Sequence, residues 1–174
     1  MFKRFDPTND VSTSTQVKAS VQRGIKSEIS HSHPSLTEEI LDDLIPKKGG
    51  DEPIFFQHRD GPILPTLKFV HKYPGLEFTS VRVDKGAIPF LLGGANVMCP
   101  GLTNEGGEMP ADSDEKPGLE KGDGVVIYAE GKEFPLAVGF MTMSSKDVRS
   151  KNKGTGIEVC HYLGDGLWST DEIH

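Results

Sequence analysis

The chain has 174 residues, a formal net charge of −7, 35% hydrophobic residues and two cysteines. That length suits one large domain or two small ones, and no apolar run of about eighteen residues offers a membrane-crossing helix. Cys99 and Cys160 do not form a disulfide framework and the start, Met1-Phe2-Lys3-Arg4-Phe5, lacks a secretory signal's apolar stretch, so a reduced, cytoplasmic protein without membrane contact is expected.

Val17, Val21, Ile25 and Ile29 recur every four residues, which predicts a first helix with one apolar stripe, capped by Ser12, Thr13 or Ser14. Ser35 and Glu38 have the spacing of a capping box. They predict a second helix with Leu36, Ile40, Leu41, Leu44 and Ile45 on its core face, stopped by Pro46 to Gly50. Ile54 to Gln57 reads as a short strand, and Asp60-Gly61-Pro62 turns the chain. Pro65 fits a helix N-terminus, and Tyr73-Pro74-Gly75 marks a boundary. From Thr79 the pattern changes to short strands. Val125–Ala129 and Leu136–Phe140 flank Glu130-Gly131-Lys132, a hairpin signal. Ser144, Ser145 and Asp147 suggest one helical turn. The last strand, Gly156 to Leu163, alternates Ile157, Val159 and His161 against Glu158, Cys160 and Tyr162. Residues 101–122 read as a long, mobile surface loop.

The stretch from Asp84 to Gly101 reads as a short helix, a glycine pair, a strand from Ala95 to Cys99 and a Pro-Gly turn. Asp84 caps the helix start. Ile88, Phe90, Leu91 and Leu92 supply core surface, and Gly93-Gly94 permits a left-handed cap. Glycine spacing leaves two readings open, an ordinary helix-to-strand corner or a ligand contact.

Charge is unevenly spread. Seven acids lie between Asn104 and Asp123, opposed by Lys116 and Lys121 alone. Basic residues gather at Lys3, Arg4, Lys18, Arg23 and Lys26, and again at Lys146, Arg149, Lys151 and Lys153. Nonspecific nucleic-acid binding is therefore not expected, whereas a local basic face for one structured RNA is compatible with the pattern. No Cys or His pair has zinc-knuckle spacing, so neither metal nor cofactor is expected. No nucleotide-binding loop or triad stands in the N-terminal seventy-odd residues, which excludes most enzyme classes.

"VDKGAIPFLLGGANVMCPGL", "LAVGFMTMSS" and "KNKGTGIEVCHYLGDGLW" resemble the opening, centre and close of a PUA domain, the RNA-binding module named after pseudouridine synthases and archaeosine transglycosylases. With "MFKRF", "VKASVQRGIKSEI", "LIPKK" and "PTLKFVHKYP", the chain resembles the family of the malignant T-cell-amplified sequence protein and its fungal translation-machinery-associated counterpart. The same unit resembles the N-terminal part of ligatin. The resemblance implies an α+β fold: a small helical α+β N-terminal (pre-PUA) domain at 1–77, a PUA-type β-barrel domain at 78–163 and a C-terminal tail at 164–174. Between Lys48 and Phe55 the family usually has about twenty more residues that form strands, so a thinner N-terminal sheet with an exposed edge is expected here.

The resemblance further implies a non-enzymatic, ribosome-associated factor. It pairs with density-regulated protein, which carries an SUI1-type domain, and binds the small ribosomal subunit and its rRNA. It acts in translation reinitiation and in recycling, releasing deacylated tRNA and mRNA, and can contact tRNA. Competing readings are a protein–protein adaptor without RNA contact and an accessory domain of an RNA-modification system. The candidate RNA-binding residues are Lys85, Gly86, Ala87, Gly94, Ala95, Asn96, Pro100, Gly101, Lys151, Lys153 and Gly154. Backbone N–H groups at Gly86, Gly94 and Gly101 can approach phosphate closely. Lys85 sits where a helix N-terminus favours phosphate. Lys151 and Lys153 add charge. Asn96 either reads a base edge or caps a turn.

Overall fold

The computed structural model describes residues 1–45, 50, 52–115 and 117–173. The expected helix stop at 46–49 and the charge of Lys116 lie outside the described residues. The N-terminal unit holds α1 (Pro7–Asp10), α2 (Ala19–Ser32), α3 (Glu38–Leu44), the antiparallel pair β1 (Phe55–Gln57) and β2 (Ile63–Pro65), and α4 (Leu67–Lys72). A curled five-stranded sheet follows, built from β3 (Ser80–Val83), β4 (Val97–Met98), β5 (Gly124–Ala129), β6 (Ala137–Met141) and β7 (Thr155–Tyr162) in the order β3-β5-β6-β7-β4. β3 and β5 run parallel, and the remaining pairs are antiparallel. A 3₁₀ turn (Lys85–Ala87), α5 (Ile88–Leu92), α6 (Cys99–Thr103) and α7 (Ser145–Lys151) close the half-barrel.

Strand β5, paired on both edges by β3 and β6, is buried on both faces. Val125 and Ile127 face the barrel core with Val83, Leu91, Met141 and Ile157. Val126 faces the other way and, with Val138 and Cys160, packs against Leu64, Leu67 and Val70 of the N-terminal unit. The two units therefore share apolar contact across the sheet rather than a loose tether. The C-terminal tail joins them too. The Lys68 ammonium donates to the Thr170 carbonyl at 2.7 Å, and the Gly166 N–H donates to the Phe2 carbonyl at 2.8 Å. A Cβ at Gly166 would lie 2.4 Å from the Phe5 carbonyl oxygen, so only glycine admits the N-terminal strand of chain there. Phe2 meets Phe5, Phe56 and His161 edge-on. Trp168 packs with this shared core, its ring edge-on to His71.

Several expectations are corrected. The helix expected first is α2, which begins at Ala19 with no side-chain cap and follows the short α1. Val17 precedes it at 41% exposure and Val21 is 47% exposed, whereas Ile29 is fully buried. The apolar stripe is covered only toward its end, where α3 and β2 pack. Lys26 is buried instead and donates to Asp42 at 2.5 Å. The capping box does not form: Thr37 caps α3, its hydroxyl accepting from the Ile40 N–H, and Ser35 bonds Glu77. Pro65 ends a strand, and Thr66 caps α4. The expected strand 95–99 shrinks to Val97–Met98, and Pro100-Gly101 lies inside α6, where proline fits the first turn.

Two further corrections concern the barrel. Strict alternation fails in β7 because the register shifts between Val138 and Gly139. An extra residue on one strand reverses the facing of the residues beyond it, so Ile157, Val159 and Tyr162 all reach the barrel core. The 101–122 segment is anchored. Arg82 and Glu108 exchange backbone hydrogen bonds at 2.8 and 2.7 Å, covering the edge of β3. The Leu119 N–H donates to the Ser145 hydroxyl at 2.9 Å, and Met109 and Leu119 are buried.

Candidate nucleic-acid interface

Asp84 organises the element that opens the barrel. Its backbone is extended, with φ −63° and ψ 158°, so the carboxylate can turn back onto the 3₁₀ turn. Oδ1 accepts the Ala87 N–H at 3.1 Å and Oδ2 accepts the Asn104 amide at 2.9 Å. The Asp84 N–H donates to the Gly101 carbonyl at 2.9 Å. One side chain and one peptide thus hold the 3₁₀ turn against α6. The turn's N-terminus is not left for phosphate, however. The Lys85 N–H donates to the Glu130 carboxylate at 3.2 Å, so two carboxylates occupy the positive end.

Gly94 has φ +84°, the left-handed cap that the glycine pair predicts; Gly93 remains right-handed. Its N–H is already spent on the Leu91 carbonyl at 2.9 Å. A Cβ there would lie 2.8 Å from the Tyr162 ring. Gly94 is therefore required for backbone packing on tyrosine, and the expected offer of its N–H to phosphate is corrected. Asn96 uses its carbonyl to accept the Val159 N–H at 3.0 Å. That satisfies a strand N–H beside the irregular β6–β7 register and leaves the amide N–H₂ as Asn96's donor.

On the other side, the Cys99 N–H donates to the Gly154 carbonyl at 2.9 Å, and its thiol donates to the Lys153 carbonyl at 3.4 Å. Burial pushes the Cys99 thiol pKa up, which keeps it a neutral packing group. These bonds fix Lys153-Gly154 beside α6. Asn152, with φ +44°, accepts from the Thr103 hydroxyl at 2.5 Å. Lys85, Lys151 and Lys153 are exposed, and Lys151 lies 3.6 Å from the Asp147 carboxylate.

Between these walls lies an open cleft of about 510 Å³. Of the expected residues, Gly86, Ala87, Ala95, Asn96 and Gly101 line it. Lys85 adjoins it in the chain, and Lys153-Gly154 runs directly into Thr155, another lining residue. Gly94 sits against the Tyr162 ring, and Pro100 opens α6. Sequence reasoning missed Phe90, Met98, Asn104 and Thr155, which also line the cleft. Phe90 was expected in the core but is 67% exposed, and Leu92 is 42% exposed. A five-residue helix buries one face. Ile88 and Leu91 share it, three residues apart, while Phe90 falls off it. That offset was the available signal.

The acidic segment is pinned by two arginines and partly neutralised. Arg82 pairs with Glu108 at 2.8 Å. Arg149 pairs with Asp112 and donates to the Pro110 carbonyl at 2.8 Å. Arg149 therefore leaves the basic cluster that its position in the sequence suggests. Among the described residues no helix is long and apolar enough to cross a membrane, and no group of three or more His, Cys, Asp or Glu could hold a metal ion.

Comparison with known proteins covers nearly the whole chain. Residues 79–166 match the family described as "elF2D, PUA domain", and residues 5–51 and 49–74 match the Pre-PUA-like domain. The chain is 47% identical over 186 residues to translation machinery-associated protein 20 of Schizosaccharomyces pombe, covering 98% of each protein. It is 44% identical to the malignant T-cell-amplified sequence 1 homolog of Drosophila melanogaster, covering 99% of this chain and 100% of that protein. Among solved structures, a hypothetical protein of Pyrococcus horikoshii OT3 superposes with a TM-score of 0.65 at 26% identity, covering 88% of this chain and 96% of that one. A PUA domain of Aeropyrum pernix K1 gives 0.62 at 23% identity, covering 88% of each, and shows the fold alone.

Proposed function

We propose a function from one premise: the chain belongs to the family of translation machinery-associated protein 20 and malignant T-cell-amplified sequence 1, with a Pre-PUA domain followed by a PUA domain. The coarse reading is a translation-related, RNA-binding role. The finer reading is a non-enzymatic, cytoplasmic factor that binds the small ribosomal subunit and its rRNA through the PUA domain. With a density-regulated, SUI1-type partner it acts in reinitiation and post-termination recycling, when deacylated tRNA and mRNA are released. We keep the division into 1–77, 78–163 and 164–174 as its working description.

The likeness to translation machinery-associated protein 20 along nearly the full chain carries this reading. The cleft fits it physically. Its apolar lining and surrounding lysines bind and orient rather than transform a ligand. Lys85, Lys151 and Lys153 are exposed on the segments flanking it and meet phosphates, fixing position rather than reading sequence. Gly86, Ala87, Ala95, Asn96 and Gly101 shape the contact surface, with Pro100 and Gly154 holding α6 and the β7 entry beside it. Gly94 acts beneath that surface through Tyr162.

The test is titration of purified small ribosomal subunits with the full chain, with and without the density-regulated partner. Changing Lys85, Lys151 and Lys153 together to Glu lowers affinity at least about tenfold and flattens its salt dependence. Unaltered binding would show that this RNA face is wrong. A second reading, an adaptor without RNA contact, is favoured by one observation: Phe90, Leu92 and Met98 expose apolar surface as protein interfaces do. Subunit binding that appears only with the partner and ignores the lysine changes would select it.

A further inference from the structure

We propose that the outer edge of β1 is a docking site for an extended segment of a protein partner, which adds as a further strand to the N-terminal sheet. This goes beyond the RNA-binding reading and does not depend on it. Among the described residues β1 and β2 form a sheet of two strands. The Thr66 N–H donates to the Ile54 carbonyl at 2.9 Å. Antiparallel partners alternate between bonded and unbonded pairs. Phe56 therefore bonds to Leu64, while Phe55 and Gln57, opposite Pro65 and Ile63, turn their N–H and C=O groups away from β2. Pro65 fits that register, having no N–H to offer β1. Among the described residues no partner meets the outward groups. Phe55, Phe56 and Gln57 include neither a charge nor a proline, the usual protection of a strand edge.

The Pre-PUA match breaks into 5–51 and 49–74, and the alignment with the Schizosaccharomyces pombe relative spans 186 residues, more than the chain's 174. That relative carries residues this chain lacks, and the break puts them immediately ahead of β1. The edge is therefore open here to a strand from outside. Both faces of β1 are already packed, Phe55 on Phe69 and Phe56 on Phe2, so the edge is what β1 has left to offer. The occupant must be extended, because its backbone has to answer N–H and C=O groups on alternate residues. The groove beside the strand sets its side chains. Ile54 and Phe69 line that groove of about 390 Å³ with Leu44, Ile45 and Tyr73, which suits an apolar side chain. Glu52 in the same lining accepts from Lys72 at 2.8 Å, whereas Asp43 has no ion-pair partner among the described residues. A segment of alternating apolar residues flanked by Lys or Arg complements the site.

The experiment uses the full chain and a labelled synthetic peptide copying the residues that the Schizosaccharomyces pombe relative carries at the break. Fluorescence anisotropy shows saturable binding, and a version with proline at every second residue binds at least about tenfold more weakly. Amide exchange followed by NMR slows at Phe55 and Gln57 on binding and stays unchanged at Phe56, which already bonds to Leu64. Gln57→Pro removes one outward N–H and weakens binding at least about tenfold. Gln57 is exposed and an edge strand accepts proline, so the variant folds, which a thermal melt checks. A peptide flanked by lysines binds about threefold more tightly than one flanked by glutamates, and Asp43→Asn narrows that gap. Absence of saturable binding overturns the docking site, as does an affinity that survives Gln57→Pro or exchange that slows only elsewhere. A gap that Asp43→Asn leaves intact removes the groove from the contact. Sedimentation equilibrium without peptide tests a second copy of the chain: a dimer that Gln57→Pro dissociates would assign the edge to self-association instead.

Discussion

Acidification is expected to weaken this fold through a single histidine. His33 is fully buried at the end of α2, edge-on to Phe78. Its Nδ1 accepts the Thr79 N–H at 3.2 Å, immediately before β3 starts. The ring must therefore be neutral, with its proton on Nε2, and that nitrogen has no hydrogen-bond partner among the described residues. Burial lowers the His33 pKa from 6.5 to about 4. The unfolded chain thus takes up a proton at a higher pH than the folded one does. The stabilising effect of the neutral ring is complete above about pH 6.5. It declines as pH falls and is exhausted below about pH 4. Across that window the loss amounts to about 3 kcal/mol, at 1.36 kcal/mol per pH unit. Urea denaturation at pH 7, 5.5 and 4 measures it. Carboxylates also titrate there, so His33→Asn is the control: it keeps an acceptor but cannot ionise. Stability of wild type minus that of the variant narrows by about 3 kcal/mol between pH 7 and 4. A constant difference would refute the assignment, because the acid sensitivity would then reside in other groups.

Two further outcomes rest on close contacts. Gly94→Ala adds a Cβ at 2.8 Å from the Tyr162 ring and at φ +84°, so it costs about 1–3 kcal/mol. A thermal melt reads this as a lowered Tm, and an unchanged Tm would mean that the ring moves aside freely. Arg149→Ala removes the pair with Asp112 and the donors to the Met109 and Pro110 carbonyls. It speeds amide hydrogen exchange through residues 109–119 while costing about 1 kcal/mol overall, since the guanidinium is partly exposed. Exchange left at the wild-type rate would show that Ser145 and the buried leucine hold that segment alone.

Where local chemistry suffices, sequence and structure agree. Asp84 caps its turn, glycine at 94 is left-handed, Ser144 caps α7, and the hairpin around Gly131 joins β5 to β6. Each depends on residues within a few positions of one another. The disagreements depend on distant partners. The Val17–Val21 stripe lacks cover because only the later turns of α2 meet α3 and β2. Arg149 belongs to Asp112 rather than to a basic face because the 101–122 segment folds back across α7. The facing of Tyr162 is set by a register shift that periodicity does not encode.

The candidate site divides in the same way. The order of the motifs identified the family, the two domains and the element that opens the barrel, since these are written in contiguous residues. Only the tertiary structure decided what that element presents. It set Gly94 on the Tyr162 ring, added the Glu130 carboxylate to the Asp84-capped 3₁₀ turn, and brought Asn104 and Thr155 to a cleft shared with Phe90 and Met98. Those residues lie as far apart in the chain as Asp84 and Tyr162. Their meeting depends on how strands pair and helices pack, which alternation and glycine spacing in a single chain do not specify.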